Sequence, residues 1–210
     1  MGIFKRYKRK KSLRENSAIS KKEPLMEQNL EEEYSFIPHF SFKILLIGHN
    51  DSGKIDYLEK FGNSWFKANT KLSIGISFDV KEIKIENLNI KLQIWDLVTE
   101  DRWKDMIPYH CRGALGAILM FETSNFDTLL KLTRWVHIIR QNTNNIPMIL
   151  MGNNDNLTNN RQVSMDEIMN FVKYESLNGY FECDVVGGKN LENIFQNLTM
   201  LIIKKYENKQ

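Results

Sequence analysis

The sequence predicts an α/β protein, with a six-stranded, mostly parallel sheet covered by helices on both faces. Three observations lead there. From about residue 40 onward, apolar runs of strand length alternate with amphipathic stretches. The first run, Phe42 to Ile47, leads directly into Gly48-His49-Asn50-Asp51-Ser52-Gly53-Lys54, and a helical pattern follows. Near the end, Leu191, Ile194, Phe195, Leu198, Leu201 and Ile202 recur with the period of a helix that buries one face.

Taken in order, residues 1–39 read as a basic, then acidic, tail without ordered structure, and residues 40–207 as the folded domain. Residues 1–22 hold nine Lys and Arg against the single acid Glu15, a net +8, so the remainder carries −5 of the overall +3. Such a stretch cannot bury a core. Ile3, Phe4 and Tyr7 are interleaved with the charges, and three readings stand. The tail is an anchor on an anionic membrane surface, with those side chains in the interface, a nonspecific nucleic-acid contact, or a solvated tail. Nucleic acid is not expected as the partner. Gly2 does not open a myristoylation signal, because Arg6 stands where that motif wants Ser or Thr.

Phe42 to Ile47 is the first strand and Ile55 to Phe66 the first helix. Ile76 to Ile85 alternates as a strand, with Ile76, Phe78 and Val80 on one face and then a phase change to Ile83 and Ile85 that a bulge could absorb. Asn87-Leu88-Asn89 supplies turn residues, and Ile90 to Trp95 returns as the third strand of a hairpin. Ala117 to Phe121, Pro147 to Met151 and Tyr180 to Cys183 complete the six. Between them, Phe126, Leu129, Leu132, Val136 and Ile139 share a helical face, and Ser164-x-x-Glu167 forms a capping box before Ile168 and Val172.

Composition excludes several classes. No apolar run approaches the roughly 18 to 20 residues of a membrane-spanning helix, and the charged N-terminus has no apolar segment of the secretory kind behind it. Cys111 and Cys183 lie far apart without C-x-x-C spacing, which fits small buried residues in a reducing cytoplasm. His39, His49, His110 and His137 show no metal-ligand spacing.

The chemistry is expected at Gly48 to Lys54. Glycines let the backbone curl, successive N–H groups point inward at an anion, and Lys54 reaches the outer phosphates, with the positive end of the next helix aimed at the same spot. Alone, the spacing also fits an ordinary strand-to-helix turn; the strand before and helix after favour a phosphate loop. In open α/β sheets ligands bind at the carboxyl ends of the strands, where this loop lies. The position after Lys54, normally a metal-ligating hydroxyl, is Ile55, and Asp56 follows.

Leu92-Gln93-Ile94-Trp95-Asp96, Tyr109-His110-Cys111-Arg112-Gly113-Ala114, Tyr180-Phe181-Glu182 and Gly188-Lys189-Asn190-Leu191-Glu192 resemble the Ras superfamily of small GTPases, nearest its Rab branch. The resemblance runs from about Phe42 through the last helix. It implies the P-loop NTPase fold, GTP or GDP with Mg²⁺ as ligand, and two mobile switch segments through which protein effectors dock. Residue by residue it carries the phosphate loop onto Gly48, His49, Asn50, Asp51, Ser52, Gly53 and Lys54, the metal-side groups onto Ser73 and Asp96, and the base-reading groups onto Asn153, Asn156 and Val185.

The departures from that pattern are concentrated where the chemistry is. Ile55 replaces the Mg²⁺-binding hydroxyl, while Ser73 keeps one. The family's Asp-x-x-Gly-Gln reads Asp96-Leu97-Val98-Thr99-Glu100, so the catalytic position holds Glu100, a charge in place of the amide that orients water. Asn-Lys-x-Asp reads Asn153-Asn154-Asp155-Asn156. Asn156 meets guanine's amine donor to donor, and an unpaired group of that kind costs about 1–3 kcal/mol. Asp155 could serve only if the loop shifted by one residue. The supporting Ser-Ala-Lys is Asp184-Val185-Val186, and the chain ends Tyr206-Glu207-Asn208-Lys209-Gln210 where relatives carry prenylated cysteine. The expectation is a pseudo-GTPase, with an active GTP-hydrolysing switch as the alternative.

Overall fold

A computed structural model of the chain describes residues 38–49, 54, 76–97, 99–100, 103, 105–154, 160–184, 187–188 and 190–208. The N-terminal tail and the helix expected at Ile55 to Phe66 lie outside them. Pro38–Ile202 forms one compact unit; the other described residues, 203–208, finish the last helix and the turn after it.

The strands are β1 (Phe40–Gly48), β2 (Ile76–Ile85), β3 (Leu88–Leu97), β4 (Gly116–Glu122), β5 (Met148–Asn153) and β6 (Tyr180–Cys183). They form one sheet in the order β2-β3-β1-β4-β5-β6, parallel throughout except for the β2–β3 hairpin at one edge. The central strands β1, β4 and β5 are buried over nearly their whole length, as their continuous apolar runs require.

Two details of the hairpin differ from the sequence expectation. The turn is the two residues Glu86 and Asn87, with Glu86 at φ 51°, and Leu88 and Asn89 already belong to β3. Nor is there a bulge, since ten consecutive pairs run from Ile76 opposite Leu97 to Ile85 opposite Leu88. The phase change is absorbed by using both faces. Ile76 joins the core on one side, while Ile83 is buried on the other opposite Ile90.

The described helices are α1 (Ile107–Cys111), α2 (Phe126–Leu130), α3 (Leu132–Asn142), α4 (Met165–Tyr174) and α5 (Leu191–Glu207). The face expected from Phe126 to Ile139 is divided between α2 and α3 at Lys131; Leu129, Leu132, Val136 and Ile139 are buried along it and Phe126 is partly so. The capping box of α4 forms as read: Ser164 Oγ accepts from Glu167 N–H, and Glu167 Oε2 accepts from Ser164 N–H at 2.8 Å.

Alternation along the strands then sorts the helices. Leu45, Ile47, Ala117, Leu119 and Leu150 share one core with side chains of α1 through α4. Gly116 precedes Ala117 and faces the other way, where α5 lies so close that a Cβ at Gly116 would stand 3.0 Å from Leu198 and Ile202. Helices on both faces leave the carboxyl ends of the parallel strands as the open rim.

Candidate functional site

β1 ends at Gly48, between β3 and β4, so the expected phosphate loop starts at the carboxyl ends of three neighbouring strands. Gly48 is buried and His49 half-buried. Lys54 is back at the same rim. Its Nζ donates to the Leu97 carbonyl at 2.8 Å and stands 3.0 Å from Asp96 Oδ1, with both side chains at 0% exposure. Asp96 is held from its second oxygen as well: Oδ2 accepts from Ser77 Oγ at 3.1 Å, and Ser77 is its direct cross-strand partner. Taking a lone ammonium or carboxylate out of water is costly, and each of these two charges answers the other.

Thr99 adds a contact that a glycine at that position could not make: its Oγ1 donates to the Gly48 carbonyl at 3.2 Å. The chain leaving β3 is thereby tied to the first residue of the loop. Glu100 follows, half-buried, with its carbonyl accepting from Trp103 N–H at 3.0 Å. Of the expected phosphate and metal residues, then, the structure gathers Gly48, Lys54 and Asp96. Asn50, Asp51, Ser52, Gly53, Ile55 and Ser73 lie outside the described residues.

Farther along the rim stand the expected base-reading residues. Asn153 closes β5, its Nδ2 donating to Glu122 Oε2 at 2.7 Å. Asn154 Nδ2 donates to Glu182 Oε1 at 2.6 Å, and its N–H donates to the Cys183 carbonyl. Asn154 thus turns toward β6, where the family lysine would cover a base. Glu182 is the hub: Tyr180 Oη at 2.8 Å and Arg161 donate to its Oε2, and Asn190 Nδ2 donates to its carbonyl. Burial opposes the charge of Glu182, but its hydrogen bonds from Arg161, Tyr180 and Asn154 outweigh burial and hold the carboxyl below its ordinary range. Burial pushes the Cys183 thiol up to about 12, as it does for a small inert core residue. Gly152 makes room for this arrangement, since a Cβ there would stand 2.6 Å from Tyr180 Oη. Asn156 and Val185 lie outside the described residues.

Sequence reasoning passed over Ser77, Glu122 and Arg161. The signal for Ser77 was the hairpin register, which needed the turn placed at Glu86-Asn87. For Glu122 it was the parallel pairing of β4 with β5, which sets Glu122 beside Asn153.

A second surface lies on the sheet face that carries Trp95. Phe78 is its cross-strand partner and meets the indole edge-on at 4.4 Å between centroids; His110 of α1 stands 6.1 Å away on a tilted ring. Lys43 Nζ lies 3.3 Å over the same indole and donates to the Arg112 carbonyl at 2.9 Å, fastening β1 to the end of α1. Phe78 is 37% exposed and Val80 39%, and Tyr109, next to His110 in the sequence of α1, is 64% exposed. Large apolar side chains grouped on the outside of a folded domain are the mark of a contact surface.

The donor set for a divalent cation is thin. Ile55 offers only an alkyl chain, Ser73 a hydroxyl, and Asp96 a carboxylate whose oxygens already face Lys54 and Ser77. Among the described residues no group of three His, Cys, Asp or Glu side chains could hold an ion. By the chemistry of their side chains, Ile55, Ser73 and Asp96 are a poor set of ligands for a divalent cation.

A parallel sheet whose first strand ends in Gly-x-x-x-x-Gly-Lys, with that lysine returned to the carboxyl rim beside a carboxylate of the adjacent strand, defines a P-loop NTPase fold. The sequence profile of the Ras family matches residues 43–204, and the chain belongs to that family. It is 33% identical over 169 residues to Ras-related protein Rab-11A of Dictyostelium discoideum, covering 80% of this chain and 77% of the relative. Over 160 residues it is 32% identical to Ras-related protein RABA4b of Arabidopsis thaliana, with 76% and 71% covered. Against Ras-related protein rab-11.1 of Caenorhabditis elegans the identity is 30% over 180 residues, with 85% and 83% covered. No helix among the described residues is long and apolar enough to cross a membrane.

Proposed function

We propose that this chain is a Rab-type interaction protein of the trafficking kind that binds guanine nucleotide weakly and hydrolyses it little, a pseudo-GTPase. The observation that carries the reading is the buried Lys54–Asp96 pair, because phosphate must compete with Asp96 for the ammonium that would hold it. Ile55 at the metal position, Glu100 at the water-orienting position and Asn156 at the base-reading position support it independently, since each weakens a different contact. The retained Gly48, Gly53, Lys54, Ser73, Asp96 and Asn153 support the competing reading, an active GTP-binding and GTP-hydrolysing switch. Denaturing the purified protein and chromatographing the released small molecules decides between them. Substoichiometric nucleotide is expected, and one equivalent of GDP or GTP per chain would overturn the proposal.

Protein effectors are the proposed partners, engaged through the surface of exposed Phe78 and Val80 with half-buried Trp95. The basic residues of 1–22 are proposed to hold the protein peripherally at an anionic membrane from the cytoplasmic side. Binding to vesicles containing phosphatidylserine should fall steeply between low and physiological salt, because exposed charges are screened over about 10 Å at 0.1 M. Equal vesicle binding after deletion of residues 1–22 would remove the anchor.

A further inference from the structure

His110 is the one ionisable ring in the aromatic cluster on the Trp95 face, and its surroundings are unusual for a histidine. Its Nε2 is buried and has no hydrogen-bond partner, and the indole Nε1 of Trp95 is in the same condition. A neutral imidazole tolerates that position by leaving Nε2 as a lone pair against apolar surface; an imidazolium there would carry a buried, unpaired N–H and a full charge.

Among the described residues, the neighbouring elements place no carboxylate against that charge. From β1 comes Lys43, a second cation, itself partly desolvated. From β2 and β3 come Phe78, Val80, Trp95 and Gln93, with the opposed Glu82 and Lys91 two and four residues farther along the same face. On α1 and around it, Asp105, Tyr109 and Arg112 are exposed and Cys111 is a buried thiol. On α3, Arg134 and His137 are exposed. Burial first and Lys43 second hold the imidazole below its ordinary value of 6.5.

We propose that His110 makes the Phe78–Trp95–His110 face sensitive to protons: the neutral ring completes the aromatic cluster, and the protonated ring, repelled by Lys43 and with its Nε2 shut away from water, leaves it. The inference rests on reading that face as the docking surface, and it says how docking is regulated: partners bind at neutral pH and are released on mild acidification. The sign follows from linkage. A group whose value is lowered in the closed arrangement binds fewer protons there than in the open one, so the closed arrangement is fully favoured above about 6.5 and loses stability as pH falls below it.

Proton NMR on the full chain tests this from about pH 8 to about pH 5, following the imidazole signals of His39, His49, His110 and His137 and the indole N–H of Trp95. His110 should titrate below the ordinary value of 6.5, and the Trp95 signal should shift with the same midpoint. His110→Tyr should leave Trp95 insensitive to pH. Lys43→Gln should move the His110 midpoint upward, and it decides the matter by itself should the tyrosine variant fail to fold. A His110 midpoint at or above the ordinary value, a Trp95 signal that does not follow His110, or a midpoint unmoved by Lys43→Gln would each overturn the proposal. The docking reading fails separately: a Phe78→Asp variant that keeps every cellular neighbour of the wild type in proximity labelling would remove it while leaving the titration intact.

Discussion

Replacing Asp96 by alanine will lower the melting temperature of the protein by on the order of 10 °C, measured by calorimetry in the presence of a chelator and without added nucleotide. The substitution removes the carboxylate that faces the Lys54 ammonium in a site with no exposure, and strips Ser77 of its acceptor. Breaking one side of a buried pair costs about 3–5 kcal/mol, and for a domain of this size each kcal/mol is worth about 2–4 °C. Lys54→Met alone should cost a comparable amount. The combination Lys54→Met with Asp96→Asn should recover much of the loss, since the amide still accepts from Ser77 and no lone charge remains. Strictly additive losses in that cycle would mean that the two side chains are not energetically coupled.

The second large effect is a gain. On the proposed reading, Asn156→Asp gives guanine's ring N–H and amine an acceptor pair, and removal of an unpaired donor contact of about 1–3 kcal/mol should raise affinity roughly tenfold to a hundredfold. Ile55→Ser adds a metal-ligating hydroxyl, so the two together should bring GTP-Mg²⁺ into a range where isothermal titration gives a clean isotherm. These contacts act in the ground state. Glu100→Gln acts on the attacking water, so its addition should raise turnover while changing affinity little. A wild-type protein that already binds GTP-Mg²⁺ at nanomolar affinity and turns it over as fast as the triple variant would sink the pseudo-GTPase reading. In that event the backbone of Gly48 to Lys54, with Lys54 itself, is sufficient.

How much of this was legible beforehand can be traced residue by residue. The sheet was, because β1, β4 and β5 are buried on both sides and must be written as unbroken apolar runs, and α5 because its one buried face recurs with a helix period. The hairpin was legible except at its turn. Asn87-Leu88-Asn89 has the residue types of a turn, but the chain reverses at Glu86, whose positive φ is a region that glycine or asparagine usually supplies. That displacement hid two pairings, Ser77 with Asp96 and Phe78 with Trp95, since both depend on register alone. The partners of Lys54 were illegible for another reason: a motif names the lysine that meets a phosphate, and says nothing of the carboxylate that meets the lysine. Glu182 was visible as part of a family resemblance, but its role as a shared acceptor emerges only when Asn154, Arg161 and Tyr180, distant in sequence, reach one side chain.

That shared carboxylate has a consequence in polymer terms. Asn154 donates to one oxygen of Glu182 and Arg161 to the other, so the chain departs from and returns to a single fixed point, with residues 155–160 between. The entropy of closing that loop is set by the two anchored ends and rises only slowly with length, by about 0.6 kcal/mol per doubling. Substitutions, and even insertions, between the anchors are therefore nearly free for the fold. The constraint on that stretch falls on its anchors, Asn154, Arg161 and the Glu182 they share.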